Sequence, residues 1–182
     1  MQLIIGQKVA YPNQGICLVE GIKKRKFGGE STIKCYSLRV LGDNSTIFVP
    51  EANADSVGLR PLITSSQCKK LIGQLGADFE PSSGDWKTRS KEFAEKLHSG
   101  DVFEAADVLK KLTYLSIEKK LSFREQTMLE KAKFLVVSEI RNADIKGHDS
   151  IEGEVSELVE GACERHRAID EKAEQASSMS AH

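Results

Sequence analysis

No apolar run in the sequence approaches the ~20 residues a helix needs to cross a bilayer. The first residues, Met1-Gln2-Leu3-Ile4-Ile5-Gly6, put no basic segment ahead of a long apolar core. Neither a signal peptide nor a membrane anchor is expected, and the reading is a cytoplasmic protein with no membrane partner. Cysteine is sparse: Cys17, Cys35, Cys68 and Cys163 are scattered, with no C-x-x-C pair. That spacing fits reduced, structural thiols rather than a disulfide framework. Cys and His do not cluster, so no zinc site and no other metal is expected. Neither charge sign dominates, because 26 Lys and Arg stand against 27 Asp and Glu. Any surface for a polyanion must therefore be local. The signatures G-x-S-x-G, H-E-x-x-H and G-x-x-x-x-G-K-[ST] are all missing. His98, His148 and His166 lie far apart and read as surface histidines. An enzyme is the least supported class, and no cofactor is expected.

What is present centres on one stretch, Ser82-Ser83-Gly84-Asp85-Trp86-Lys87-Thr88-Arg89-Ser90-Lys91, which holds the only Trp. Gly84 breaks the preceding segment and Asp85 suits a helix N-cap. Trp86 then sits at the rim of a helix start, with Lys87, Arg89 and Lys91 on the first two turns. Cations are mildly unfavourable there, because the helix dipole is already positive. The arrangement suits a polyanion better than it suits the helix. The alternative is that Trp86 simply anchors the helix to its neighbours, as most tryptophans are largely buried.

The chain before this stretch reads as β. Short strands are expected at 8–11, 16–22, 32–40 and 45–50. They are separated by Pro12-Asn13-Gln14-Gly15, by a Gly28-Gly29 hairpin and by Gly42-Asp43-Asn44. Strands at this spacing form a small, strongly curved SH3/Tudor-like barrel. Tyr11 and Val57 are expected to pack, with Pro50 and Gly58 shaping turns. Lys23, Lys24, Arg25 and Lys26 form a basic run at the hairpin edge. It is either a solvated turn that discourages edge pairing or a docking site for an acidic patch, with Arg25 supplying bidentate hydrogen bonds.

After Pro61 the period becomes helical. Thr64 with Gln67, Asp101 with Glu104 and Ser122 with Glu125 read as capping boxes. Helices are expected from Thr64 to Leu75, from Trp86 to His98, after Asp101, after Ser122 and from about Ser150, the last using Ile151, Val155, Leu158 and Val159. The fold class is thus α+β in two domains: a small SH3/Tudor-like β-barrel over 1–60 and a compact five-helix bundle over 62–160. Residues 165–182 read as a polar, disordered tail.

Y-P-x-x-G near the start, V-P followed by V-G-L-R at the barrel exit, and the W-x-x-R helix start occur in order. Ser99-Gly100-Asp101-Val102 and Leu121-Ser122-Phe123-Arg124-Glu125 follow at matching spacing. Together they resemble the CarD/CdnL family of bacterial transcription regulators over most of the chain. The first half also resembles the polymerase-interacting module of transcription-repair coupling factors. The resemblance implies a Tudor-like domain that binds the β subunit of RNA polymerase. It also implies a helical domain on promoter DNA at the upstream edge of the melted region. By that likeness Trp86 is the DNA wedge, with Lys87, Arg89 and Lys91 on phosphates. Arg25, Ile47, Phe48 and Pro50 fall at the polymerase contact. Phe48 stands where some relatives carry Arg, and Thr88 precedes Arg89 where many relatives have adjacent basic residues. DNA contact is expected in the minor groove, weak and largely independent of sequence, by a monomer. The competing reading is a protein-interaction module that never touches DNA and buries Trp86.

Overall fold

The structure, a computed structural model, describes residues 1–29, 31–143 and 150–180. The first unit is a five-stranded antiparallel sheet in the order β4-β3-β2-β1-β5. Its strands are β1 (Lys8–Tyr11), β2 (Gly15–Lys26), β3 (Thr32–Val40), β4 (Thr46–Pro50) and β5 (Arg60–Pro61). This is the expected Tudor-like domain. The pairing of β2 with β3 slips between Val19 and Gly21, and such a bulge sharpens twist and bends the sheet. The concave face closes over Val9, Cys17, Val19, Tyr36, Leu38, Val40 and Val49, with Tyr11 and Val57 packed against them. Tyr36 lies at the centre; its hydroxyl accepts from Leu3 N at 3.2 Å and donates to Glu51 at 3.4 Å.

The second unit is a bundle of α1 (Ser65–Gly76), α2 (Trp86–His98), α3 (Val102–Glu118), α4 (Phe123–Asn142) and α5 (Ile151–Ser180). Its core joins Leu71, Leu75, Phe93, Leu97, Val108, Leu112, Ala132, Val136, Ile140, Ile151 and Val155. The Thr64–Gln67 and Ser122–Glu125 boxes form with both reciprocal hydrogen bonds. At α3, Asp101 caps Phe103 N, but Glu104 turns to Lys96 at 2.9 Å instead of closing a box. A charged partner in reach outweighs a neutral backbone N–H. Lys110, 2% exposed, donates to Gln74 O and Ala77 O at the end of α1. It adds a charged donor at the helix C-terminus, where Gln74 O also accepts from Ala77 N.

The tail differs from the sequence reading. Helix α5 continues through 165–180 rather than fraying. Tyr114 donates to Asp170 at 2.9 Å, and Arg167 pairs with Glu171 one turn on. Ala, Glu, Lys and Gln supply the helix propensity beyond that point. His166 is likewise no plain surface histidine: its ring lies 5.2 Å from those of both Phe79 and Tyr114. His98 is exposed, and His148 lies outside the described residues.

The two units meet in a built joint. Arg60 binds both Glu139 oxygens, Nη1 to Oε1 at 2.6 Å and Nη2 to Oε2 at 2.8 Å. The same guanidinium donates to Gly100 O through Nε and Nη2. Burial works against the charge on Arg60, and Glu139 more than restores it, so its pKa is raised. Glu139 is 3% exposed and also accepts from Ile63 N. Two close approaches complete the joint. Pro12 sits against Gly100, which has φ +81° and where a Cβ would lie 2.8 Å from the proline ring. The Phe134 ring covers Gly42, where a Cβ would lie 2.8 Å from the ring. Glycine is therefore demanded at Gly100 by conformation and contact, whereas a side chain at Gly42 would have to push the Phe134 ring aside.

Candidate nucleic-acid interface

Gly84, at φ +93°, turns the chain into α2. Asp85 then caps the helix by accepting from Thr88 N at 2.8 Å. Those Thr88 hydrogen bonds hold the Asp85 carboxyl below the usual range. The cap leaves Trp86 as the first helical residue, where no turn lies beneath it to pack on. Trp86 is 56% exposed, so it does not anchor the bundle core. It opens onto a groove of about 440 Å³ shared with Lys87, Ser90, Lys91, Ala94, Glu95, His98 and Arg124. Lys87 and Lys91 are exposed, and Lys91 makes a loose pairing to Glu95 at 3.8 Å. Such an exposed pair contributes little and leaves the ammonium available.

Arg89 departs from the phosphate-contact expectation. It is 8% exposed, with Nη2 on Glu125 Oε1 at 3.1 Å and Nη1 on Gly84 O at 3.2 Å. From the first turn of α2 it reaches into the first turn of α4. There Glu125 also accepts from Ser122 N and Oγ and lies 3.7 Å from Lys119. Arg89 thus supports the Trp86 loop from beneath. Arg124, exposed on α4, joins Lys87 and Lys91 as a cation lining the groove. Sequence reasoning missed Arg124 because its nearness to Trp86 is tertiary.

Burial favours the neutral Glu125 acid, but the Ser122 hydrogen bonds, Arg89 and Lys119 outweigh it and bring its pKa from 4.5 down to about 2. Its ionised form is the one that stabilises the fold. That contribution is complete above the unfolded-chain value near 4.5 and is lost as pH falls toward 2. Glu125→Gln should cost about 1–3 kcal/mol at neutral pH. In urea titrations that deficit should shrink as the pH is lowered across this interval. A deficit that holds constant down to pH 2 would rule out the carboxylate charge as the origin of the effect.

A second cluster of cations lies on the β unit. Lys23, Lys24, Arg25 and Lys26 are exposed on the outer half of β2. The Arg25 guanidinium stacks 3.6 Å from the Phe48 ring centroid, and Lys23 Nζ lies 5.9 Å from it. This stacking across the sheet pre-orders Arg25 while leaving its edge free to donate. Phe48 pairs with Ser37 on β3, and β4 is an edge of the sheet. Ile47 differs from the expectation of a partner-facing residue, since it packs against the β core. Alternation along β4 puts Ile47 with buried Val49 and sends Phe48 to the other face. Pro50 is half-buried and caps the short 3₁₀ turn Glu51–Asn53.

Comparison with known proteins follows the same division of the chain. A CarD-like/TRCF RID domain matches residues 3–63, and a CarD C-terminal domain matches residues 70–156. A Bacillus subtilis (strain 168) protein described as a putative transcription factor, YdeB, is 29% identical over 140 residues, covering 75% of this chain and 88% of that protein. The solution NMR structure of the 72-residue N-terminal domain of Myxococcus xanthus CarD is 33% identical and covers 33% of this chain and 79% of that one, with a TM-score of 0.29. No helix among the described residues is long and apolar enough to cross a membrane, and none of them group into a metal site.

Proposed function

The chain belongs to the CarD family, as a CarD-like/TRCF RID domain followed by a CarD C-terminal domain, and from that premise we propose that it tethers to RNA polymerase and props open the promoter. It is a transcription factor of the polymerase-interacting type. The observation that supports the finer reading is Trp86, half-exposed over a cation-lined groove at the head of α2. An aromatic pressed against a base step from the minor-groove side holds that step partly unstacked, at a cost to the DNA of a few kcal/mol. If Trp86 fits the opened duplex better than the closed one, binding shifts the population toward melted promoter. Lys87, Lys91 and Arg124 grip phosphates and carry no sequence information. The DNA affinity of the helical unit can be weak, because the β unit tethers it and raises the local DNA concentration.

The β unit is the tether. Its stacked Arg25 and Phe48, beside the open edge of β4, suit an acidic, strand-bearing surface, which the reading assigns to the polymerase β subunit. Arg25→Glu is expected to weaken binding to an isolated β-subunit lobe by about 10-fold or more. The melting temperature should not move, since Arg25 is exposed. A pull-down with the purified lobe measures it, and unchanged capture would take Arg25 out of the interface. The reading as a whole is tested by the lifetime of promoter complexes formed with Trp86→Ala.

A further inference from the structure

Phe123 is the most exposed large apolar side chain described, at 90%. The fold gives no reason for an aromatic at that position. Phe123 belongs to neither core cluster, and the helix start is already made by the Ser122–Glu125 box. Its surroundings are cationic. Lys119 and Lys120 precede it, and Arg124 beside it lines the Trp86 groove. The neighbouring Glu125 carboxylate is already engaged by Ser122, Arg89 and Lys119. The Arg89–Glu125 bridge ties the first turn of α2 to the first turn of α4. Trp86 and Phe123 are each the first residue of their helix, and these two helix heads are held together.

We propose that Phe123 is a second aromatic contact to the same DNA, lying against the sugars beside the step that Trp86 opens, with Lys120 and Arg124 on the flanking phosphates. The proposal rests on the DNA reading of Trp86. Two considerations select DNA as the occupant. The patch continues the Trp86 groove through Arg124, and Lys120 and Arg124 stand exposed on either side of Phe123 in the sequence. DNA offers apolar sugar and base faces bordered by a dense line of phosphates, so an aromatic flanked by cations matches it on both counts. A two-point apolar contact would also fix the angle at which α2 meets the duplex. A lone wedge leaves that angle free.

The experiment uses the full-length protein, forked DNA carrying the upstream edge of a melted promoter, and polymerase holoenzyme. Phe123→Ala should melt with the wild type and bind the forked DNA about 5-fold more weakly. Phe123→Trp should restore that affinity, which an effect through folding would not require. If Trp86→Ala loses DNA affinity and Phe123→Ala keeps it, the second contact is refuted and the wedge stands. If neither variant changes DNA affinity, both the proposal and the DNA reading it rests on are refuted. If Phe123→Ala instead loses affinity for polymerase in the absence of DNA, the patch belongs to a protein interface and the proposal fails.

Discussion

Trp86→Ala is expected to leave the melting temperature nearly unchanged while shortening the lifetime of open promoter complexes by roughly 5-fold to 150-fold. The two halves of this expectation come from one fact, the 56% exposure of the indole. Removing a core tryptophan costs ~3–5 kcal/mol of stability. A half-exposed one at a helix start, outside both core clusters, should cost far less. In the complex the ring gains what it lacks in the free protein, a π-face to rest on. Base–aromatic contact is worth ~1–3 kcal/mol per base, which converts to the lifetime range above. Lys87→Ala and Lys91→Ala act on a different quantity. They should weaken the complex on all sequences alike and flatten its salt dependence.

Arg60→Ala should be the most damaging single change in the joint between the two units, at about 3–5 kcal/mol. For a chain of this size that is a drop of roughly 6–20 °C in melting temperature. The cost comes less from the lost attraction than from the charge left behind. Glu139 is 3% exposed and, among the described residues, would keep the Ile63 N hydrogen bond but no cation for its carboxylate. The double variant Arg60→Ala/Glu139→Ala should therefore recover part of the loss. A double variant as unstable as the sum of its singles would show that the pair is not coupled. The joint also bears on function. Arg60, Pro12 and Phe134 hold the helical unit against the β unit, and with it the placement of Trp86 relative to the tether.

Much of the fold could be read in advance wherever local chemistry decides it. The Thr64–Gln67 and Ser122–Glu125 boxes need only residues three apart, and both formed. The exposure of Trp86 followed from its position after an Asp cap, where a helix has no preceding turn. Arg89 was not legible in this way. Its partner Glu125 lies 36 residues away, and nothing near Arg89 marks it as inward-facing. Arg124 is the converse case, unremarkable in sequence and brought beside Trp86 by that same ion pair. The Ile47 placement was legible and was misread, since strand alternation already puts it on the Val49 side. The joint was hidden because it depends on single atoms of distant glycines meeting Pro12 and Phe134.

The central claim is that Trp86 touches DNA in the promoter complex, and site-specific crosslinking tests it most directly. With p-benzoylphenylalanine at position 86, irradiation of polymerase–promoter complexes should attach the protein to DNA at the upstream edge of the melted region. The adduct should be absent when the same DNA is held fully duplex without polymerase. Adducts to polymerase subunits alone, with none to DNA, would contradict the account.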